Sequence, residues 1–460
     1  MKKFIVIVTM FCGISVCKAQ RIDGGGGHGI VKCKDGYAYT AGYNDKGQLG
    51  IGSSSSEFTF TQVAGLSLIT DVAAGAEHTL ALDTGGNVWA WGDNSYGQLC
   101  DSSYVNRIMP HRVAGADKIL SISAGWRFSL YLREDSTVWA GGENTNGQVG
   151  TQSPPYSVNY LRQISNLSDV IAISAGFNHC LVLEADGSVW SWGFNSYGQL
   201  GDGTTNTSII PVQVQGLNSI VAIEAGWSVS YAIKNDGTLW SWGANYHGQL
   251  GTGSLMGSGV TSSPQLVVGL DSVSMIRSDV DFTLALKEKG SLWAWGKNFH
   301  GQLGDSTKAD RNIPTKVKNL GSVVDVGVGS AVGYAINSVG EIYSWGAGPE
   351  GALASDTITQ KLTPSSITPI ACNPVVSIYE QKAHKTSIKV YPNPTRGFVI
   401  MEGTEGTKIE SVEVYNTTGI SVMKVIEPEN RIDISGLPKG IYFIQCEVDG
   451  EVVVQKIMKE

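Results

Sequence analysis

The stretch from Trp190 to Leu200 reads WSWGFNSYGQL, and the same pattern returns along most of the chain. Close copies are WAWGDNSYGQL (89–99), WAGGENTNGQV (139–149), WSWGANYHGQL (240–250) and WAWGKNFHGQL (293–303); weaker copies are YTAGYNDKGQL (39–49) and YSWGAGPEGAL (343–353). Successive turn glycines, from Gly47 to Gly351, are 50 to 53 residues apart. The sequence therefore predicts seven units of about fifty residues.

Each unit contains four short strand-like segments separated by turns rich in Gly, Asn and Asp. In the fourth unit they are DVIAIS (169–174), HCLVLE (179–184), VWSWG (189–193) and PVQV (211–214). Four short antiparallel strands per unit, repeated at this spacing, are typical of a propeller blade. We predict an all-β protein whose main part, residues 20–372, is a seven-bladed β-propeller.

The recurrent motif residues are expected to be structural. Side chains alternate along a strand, so both tryptophans of WxW point to one side and can fill the wedge between blades. Glycines near the turns allow positive φ, and an asparagine at one position of six units can bond nearby backbone. These asparagines are Asn44, Asn94, Asn144, Asn195, Asn245 and Asn298.

Composition limits the class of partner. Glycine supplies 58 of the 460 residues and charged residues only 16%, a profile typical of short strands and tight turns. The net charge of −8 includes no basic stripe that could neutralise phosphates, so we expect no nucleic-acid partner. No apolar stretch is long enough for a transmembrane anchor.

The first residues have the pattern of an export signal. Lys2 and Lys3 precede an apolar run over 4–16, and the small Ala19 stands before Gln20. This order is typical of a secretory signal peptide, which we assign to residues 1–19. A lipoprotein signal through Cys17 is a weaker alternative, because Val16 before it is bulky.

The cysteines of the mature chain do not indicate a set of disulfide bonds or a metal site. Their number is odd and none forms CxxC, so neither a disulfide set nor a zinc site is indicated. We expect small buried hydrophobic side chains. These cysteines are Cys33, Cys100, Cys180, Cys372 and Cys446.

The sequence contains no familiar catalytic motif: HExxH, GxSxG, a Walker-type loop and an EF-hand loop are all missing. His28, His78 and His179 recur at one position, but four other units have an apolar residue there. That pattern favours packing over metal binding. We therefore predict no catalytic residue, no metal and no cofactor.

The repeats resemble those of the regulator of chromosome condensation family, a family of seven-bladed propellers, over about residues 21–372. The founding eukaryotic members exchange guanine nucleotides on a nuclear GTPase through an inserted wedge. Residues 252–263 form the longest irregular stretch here, in a repeat only three residues longer than most, so that activity is not expected. Other members of this fold are bacterial binding proteins, including secreted inhibitors of β-lactamases, which grip protein partners with loops on one face.

A different pattern follows the predicted linker at 373–386. Strand-like segments separated by Gly and Pro turns suggest a small immunoglobulin-like sandwich over 387–460. This region resembles the type A sorting domain of the type IX secretion system of Bacteroidetes. The resemblance implies export across the outer membrane, removal of the module by a sortase, and release or attachment to lipopolysaccharide. The matching residues are Tyr391, Pro392, Asn393, Pro394, Gly397, Gly436, Leu437, Gly440, Ile441, Tyr442, Lys456 and Lys459.

Two tryptophans depart from the repeat. Ten of the 12 lie on a third strand, but Trp126 and Trp227 follow the glycine of the first loop, and Phe177 holds that position in the unit between. The other units have Gly26, Ala76, Val280 or Ser330 there, so blade packing does not require an aromatic ring.

These aromatics predict a recognition surface. The first and third connections of an up-and-down blade emerge on one face, because antiparallel strands reverse at each turn. Aromatic rings among mixed polar groups are suited to binding a partner. The predicted surface consists of Trp126, Phe177, Trp227, Arg127, Asn178, Tyr96, Tyr197, Tyr246 and Phe299.

We therefore predict a secreted or surface-displayed propeller that binds a protein or glycan without chemistry of its own. One alternative is an extracellular enzyme acting on glycan or peptide, in which Asp281 and Glu77 could take part. Another is a self-associating, adhesin-like surface element. A further possibility for the aromatic rings themselves is that they fold back, cap the propeller channel and meet no ligand.

Overall fold

The computed structural model describes residues 20–150, 156–254, 257, 259–348, 352–354, 360–367, 389–402, 409–416, 421–426, 431–448 and 451–460. The predicted signal peptide and linker lie outside the described residues. The chain divides into two compact units, Met1–Cys372 and Asn373–Glu460. Strands and their connecting loops make up both units in the described ranges.

The first unit contains seven antiparallel sheets of four strands each, with the strands of a sheet in chain order. The first strands, which line the central channel, are β1 (Arg21–Gly24), β5 (Ile69–Ala74), β9 (Ile119–Ala124), β13 (Val170–Ala175), β17 (Ile220–Ala225), β21 (Val273–Asp279) and β25 (Val323–Gly329). The second strands are β2 (His28–Lys32), β6 (His78–Asp83), β10 (Phe128–Arg133), β14 (His179–Glu184), β18 (Val229–Lys234), β22 (Phe282–Lys287) and β26 (Val332–Asn337).

The third strands, which carry the repeated WxW motif, are β3 (Ala38–Gly42), β7 (Val88–Gly92), β11 (Val138–Glu143), β15 (Val189–Gly193), β19 (Leu239–Ala244), β23 (Leu292–Gly296) and β27 (Ile342–Gly346). The fourth strands are β4 (Glu57–Gln62), β8 (Arg107–Arg112), β12 (Ser157–Gln163), β16 (Ser208–Gln213), β20 (Val260–Leu266), β24 (Arg311–Lys316) and β28 (Lys361–Ser366). The predicted seven-bladed propeller is confirmed. In the fourth blade the three inner strands match the predicted segments to within one residue, whereas β16 begins three residues before PVQV.

The tryptophans of WxW join neighbouring blades as predicted. Trp242 is fully buried, and its indole N–H donates to the Gln199 carbonyl of the preceding blade at 2.8 Å. The other second tryptophans make the same bond, at 2.8–2.9 Å, and they are Trp91, Trp192, Trp295 and Trp345. Among the first tryptophans, Trp89, Trp190 and Trp293 pack against the same cores as their partners and are partly exposed. Five of the seven blades are thus tied to the one before them by this buried hydrogen bond as well as by apolar contact.

In the six motifs that contain the asparagine, glycine and asparagine hold the turn. Gly97 has φ +80°, and a Cβ there would lie 2.5 Å from Asn159 Cα, so no other residue fits. Asn94 Oδ1 accepts from the N–H of Leu99 at 3.0 Å, while its amide donates to carbonyls further along the loop. The loop after the third strand therefore has a fixed shape.

The ring closes without a shared blade. Residues 21–24 pair with β2 in their own sheet, and β25–β28 form a complete seventh sheet. The two blades meet through the N–H of Ile22, which donates to Asp325 Oδ2 at 2.9 Å, and the N–H of Ser330, which donates to the Gly25 carbonyl. Every blade is therefore one continuous segment of chain.

The recurrent histidines are buried links between blades. The Nε2 atom of His28 lies 2.9 Å from Thr79 Oγ1, and His78 and His179 reach Ser129 and Ser230 in the same way. Burial lowers the pKa of His28 and His179 to about 3 and that of His78 to about 4. These neutral rings have a packing and linking role.

The cysteines agree with the sequence expectation in part. Cys100, Cys180 and Cys446 are free and buried. Cys33, however, is disulfide-bonded, so the expectation of free cysteines was wrong for this residue. The bond was not predicted because the mature chain has an odd number of cysteines and none forms CxxC.

The second unit is a two-sheet β-sandwich. One sheet has the order β29 (Lys389–Tyr391), β30 (Phe398–Glu402), β33 (Arg431–Asp433). The other has the order β32 (Ser421–Ile426), β31 (Ile409–Asn416), β34 (Gly440–Val448), β35 (Glu451–Lys459). Buried side chains from both sheets, including Val399, Val412 and Ile444, form its core. Among the described residues we find no helix with the length and apolarity needed to cross a membrane.

Candidate functional site

Three aromatic rings from neighbouring blades meet at one end of the channel. Trp126, Phe177 and Trp227 follow the glycines after β9, β13 and β17. The ring centroids of Phe177 and Trp227 are 3.9 Å apart and stacked, and Trp126 lies 5.0 Å from each of them. All three side chains are partly buried. We call these residues the aromatic triad.

Close backbone contacts hold the triad loops together. A Cβ on Gly125 would lie 2.2 Å from the Phe128 ring and 2.7 Å from the Gly176 carbonyl oxygen. The N–H of Trp126 donates to that same carbonyl at 3.3 Å, and the N–H of Phe177 donates to Gly226 at 3.2 Å. Glycine is required because adjacent loops approach this closely, and that approach brings the rings into contact.

A cavity of about 200 Å³ lies behind the triad, between the first strands of the blades. Trp126 and Phe177 form part of its wall, and most of its other lining residues are glycine, alanine, serine and charged residues. The charged residues of the lining are Arg21, Asp23, Asp71, Glu224, Arg277 and Asp279.

Two of these acids are paired with arginine. Arg21 Nε lies 3.1 Å from Asp71 Oδ1, and Arg277 Nη1 lies 3.5 Å from Glu224 Oε2. Asp23 accepts a hydrogen bond from the N–H of Ala74 at 3.0 Å. Among the described residues, no cation lies within 4.0 Å of the Asp23 or Asp279 carboxylate. The lining thus has an excess of negative charge.

Burial raises the pKa of three channel carboxyls. Burial brings the pKa of Asp279 to about 7, and the negative charges of Asp23, Asp281 and Glu224 add to the shift. The pKa of Glu224 rises to about 7 and that of Asp23 to about 6, again mainly through burial, although Arg277 opposes both shifts. A cation in the channel would favour the ionised forms.

Asp279 is a channel residue that the sequence reasoning missed. It occupies the position that glycine holds in the six other units, namely Gly25, Gly75, Gly125, Gly176, Gly226 and Gly329. Here β21 continues to Asp279, which pairs directly with Phe282 across a two-residue turn. The sequence does mark Asp279, because it departs from the residue that the other units share, as Trp126 does.

The predicted rim residues lie on the same face as the first loops. The Arg127 guanidinium lies 4.8 Å from the Tyr96 ring centroid, and its Nη1 donates to Tyr96 Oη at 3.2 Å. Asn178 Oδ1 accepts from Gln148 Nε2 at 3.3 Å. Both contacts join a first loop to the third connection of the preceding blade, so the predicted sharing of one face is confirmed.

The remaining predicted aromatics are spread along the rim. Tyr197 and Tyr246 form an edge-to-face pair with centroids 6.0 Å apart. Tyr246 is 48% exposed and Phe299 68%. The structure thus gives a compact central triad with further exposed rings at its periphery, rather than one continuous aromatic surface.

The acids considered for an enzyme are not brought together. Asp281 accepts a hydrogen bond from Gln249 Nε2 at 3.0 Å and lies 3.7 Å from Lys297 Nζ. It is also 4.0 Å from His247 Nε2. Glu77 belongs to the second blade, and no contact joins it to Asp281 in the described part of the chain.

In the C-terminal unit, three motifs that are distant in sequence meet. Asn393 Oδ1 accepts from the N–H of Met458 at 2.8 Å. The buried ammonium of Lys459 donates to the carbonyls of Ser435, at 2.8 Å, and Leu437. The Tyr442 hydroxyl donates to the Pro438 carbonyl at 2.8 Å. The start, middle and end of the module therefore build one surface.

The other predicted sorting residues lie around this junction. The peptide bonds before Pro392 and Pro394 are cis. The Gly397 carbonyl accepts from the N–H of Ile434 at 2.8 Å, and Tyr391 is 40% exposed. Gly436 lies in the Ser435–Leu437 turn, and Gly440 begins β34. Lys456 lies on β35 opposite Phe443, but its side chain is outside the described residues.

Seven four-stranded blades around a lined channel, followed by a separate sandwich, define a two-part propeller protein. The RCC1-like domain family model matches residues 6–332, so the chain belongs to this family. Residues 389–460 match the secretion system C-terminal sorting domain, which directs export to the cell surface or beyond it.

Curated relatives are much longer proteins. The chain is 33% identical over 234 residues to the human probable E3 ubiquitin-protein ligase HERC3, covering 48% of this chain and 17% of the relative. The chain is 27% identical over 213 residues to human E3 ubiquitin-protein ligase HERC2, and this match covers 44% of this chain and 4% of the relative. The match thus spans less than a fifth of either relative's length.

Solved structures share the fold. Prp20p of Saccharomyces cerevisiae superposes with a TM-score of 0.66 at 24% identity, covering 72% of this chain and 86% of that chain. Human WBSCR16 superposes with a TM-score of 0.66 at 21% identity, and the match covers 72% of this chain and 93% of that chain. At this level of identity the likeness concerns the fold alone.

Proposed function

We propose that this exported propeller is a binding module, and that the face carrying the aromatic triad holds a protein or glycan partner. The observation that carries the proposal is the triad itself. Three consecutive blades place large, partly exposed rings at a position where the other blades have Gly26, Ala76, Val280 and Ser330. Propeller packing is satisfied without them.

The surroundings of the triad suit an interface. Partly exposed aromatic and arginine side chains account for much of the binding energy in known interfaces. Here Arg127 is positioned over Tyr96 beside the triad, and Tyr246 and Phe299 provide exposed rings at the rim. A rigid scaffold presenting such groups loses little conformational entropy on binding.

We propose a binding role without catalysis. A general acid–base pair needs two carboxyls, or a comparable pair, within reach of one reacting group. Asp281 is instead engaged by Gln249 and Lys297. Glu224 faces Arg277. These contacts favour structural and electrostatic roles for the acids of this face.

The test is affinity capture on the immobilised full chain from extracellular and environmental extracts. The Trp126→Ala/Trp227→Ala double variant is expected to lose at least tenfold in affinity for the captured partner, since two buried aromatic anchors contribute roughly 2 kcal/mol or more each. Tyr37→Ala is the matched control, because Tyr37 is 38% exposed and lies in the hairpin between β2 and β3 at the opposite face.

Thermal unfolding of the variants provides the folding control. A folded double variant that captures the same partner with unchanged affinity contradicts the proposal and returns the triad to a structural role. Loss of the partner in Tyr37→Ala, with retention in the double variant, would move the interface to the opposite face.

A further inference from the structure

The mouth of the channel is asymmetric. Blades three to five contribute the rings of Trp126, Phe177 and Trp227. Blades seven, one and two contribute Ser330, Gly26 and Ala76 at the same position, and blade six contributes Val280. The channel therefore has an aromatic wall on one side of its mouth and small side chains on the other. Asp23 belongs to blade one on the second side, and Asp279 belongs to blade six, next to the aromatic wall.

Backbone-to-backbone hydrogen bonds join the loops around the mouth and are interrupted at blade six, where the N–H of Ser278 donates instead to the Glu224 carboxylate at 3.2 Å. Backbone N–H groups donate from Ser330 to Gly25, from Gly26 to Ala76, from Ala76 to Trp126, from Trp126 to Gly176 and from Phe177 to Gly226. In the described part of the chain no equivalent bond joins blade five to six, or six to seven. Asp279 lies at this break in the ring of hydrogen bonds.

The charges of the channel do not balance. Arg21 faces Asp71, and Arg277 faces Glu224. Asp23 and Asp279 line the same cavity. Asp325, which interacts electrostatically with both arginines, is 2% exposed, and its Oδ1 has no hydrogen-bond partner among the described residues. The innermost strands thus contribute five acids and two arginines.

We propose that the partner is a protein and that it inserts a lysine or arginine side chain beside the aromatic triad, with its cationic group near Asp279. The inference rests on the binding role proposed for this face. Aromatic faces and carboxylates both attract organic cations. A neutral glycan would desolvate the carboxylates without supplying a counter-charge.

The dimensions and the titration of the site agree with this occupant. A cavity needs a volume of only about 10–15 Å³ to hold one water molecule, whereas this cavity measures about 200 Å³. It can therefore admit the head of a long side chain. Burial and neighbouring acids raise the pKa of Asp279 to about 7, and an inserted cation would relieve that repulsion. The charged residues that line the cavity with Asp279 are Arg21, Asp23, Asp71, Glu224 and Arg277. Asp281 also acts on Asp279 electrostatically.

The test is selection of peptides from a displayed random library on the immobilised full chain at physiological salt, which screens weak surface attraction. Selected peptides are expected to be enriched in Lys or Arg. Their affinity should fall at least tenfold for Asp279→Gly, because a buried charge pair loses its anion. The substitution restores the residue found in the other six units. Asp279→Asn keeps the size of the side chain, serves as a second variant and is expected to show the same loss.

Asp236→Asn is the matched control. It removes the same charge from an exposed hairpin at the opposite face, where the turn bonds of Asp236 to Thr238 can be kept by asparagine. Binding by this variant should match the wild type. Loss of affinity in Asp236→Asn equal to that in Asp279→Gly would show a general effect of net charge and overturn the inference.

The other outcomes separate the two proposals. Peptides that require Trp126 and Trp227 but are not basic, or that bind Asp279→Gly unchanged, overturn the cationic partner and leave the binding face intact. Peptides whose affinity is unchanged by substitutions in the triad and at Asp279 contradict both the binding face and the cationic partner. So does a library that yields no binder to the wild-type chain.

Discussion

A chain that ends before residue 387 is expected to remain inside the outer membrane, while the full chain reaches the cell surface or the medium. The sorting module occupies residues 389–460 and forms a compact unit separate from the propeller. Removing it should leave the blades intact but take away the export signal. Cell fractionation with an antibody against the propeller measures the distribution.

A single substitution is expected to act as strongly as the deletion. Lys459→Met removes the buried ammonium that joins the Ser435 and Leu437 carbonyls, and with it both hydrogen bonds that hold this turn against β35. Lys424→Met is the matched control, since Lys424 has an exposed side chain on an edge strand of the same unit. Surface display of the truncated chain at the normal level would contradict the assignment of the export signal.

Trp242→Ala is expected to lower the free energy of unfolding by about 3–5 kcal/mol, the range for large aromatic truncations in a core. The Trp242 side chain is fully buried between the fourth and fifth blades, and its indole also donates to the Gln199 carbonyl. The substitution therefore leaves a cavity and an acceptor without its donor. Denaturant titration of the purified full chain measures the loss.

Trp240→Ala provides the comparison on the same strand. Its ring is partly exposed beneath Lys234, and its indole nitrogen has no hydrogen-bond partner in the described residues. We expect a loss of about 1–2 kcal/mol, because less apolar surface leaves the core and no hydrogen bond is broken. Equal losses for the two variants would contradict the role assigned to the second tryptophan in joining blades.

The fold could be predicted from sequence because its determinants are local and repeated. WxW, the asparagine and the turn glycine that follows recur in most units and specify the same strand and loop, so a departure in one unit does not hide the repeat. The links from His28 to Thr79 and from Trp242 to Gln199 could not be predicted, because they join residues 51 and 43 positions apart through side-chain orientations.

The candidate site was predicted only in outline. The position of Trp126, Phe177 and Trp227 on one face follows from the reversal of chain direction at each turn of an antiparallel blade. Their mutual stacking depends on side-chain rotamers and on how closely the loops approach one another. Asp279 could have been predicted from the absence of the glycine that the six other units have at this position. Its importance emerges only when the first strands are placed around one cavity with Asp23 and Glu224.

The most direct test of the binding face is amide hydrogen exchange on the full chain with and without its captured partner. We predict slower exchange with the partner bound in residues 123–129, 174–179 and 224–229, which contain the triad, and in the neighbouring third connections. The hairpins at the opposite face, such as 235–238, should exchange unchanged. Protection confined to those hairpins, with the triad loops unaffected, would contradict the account.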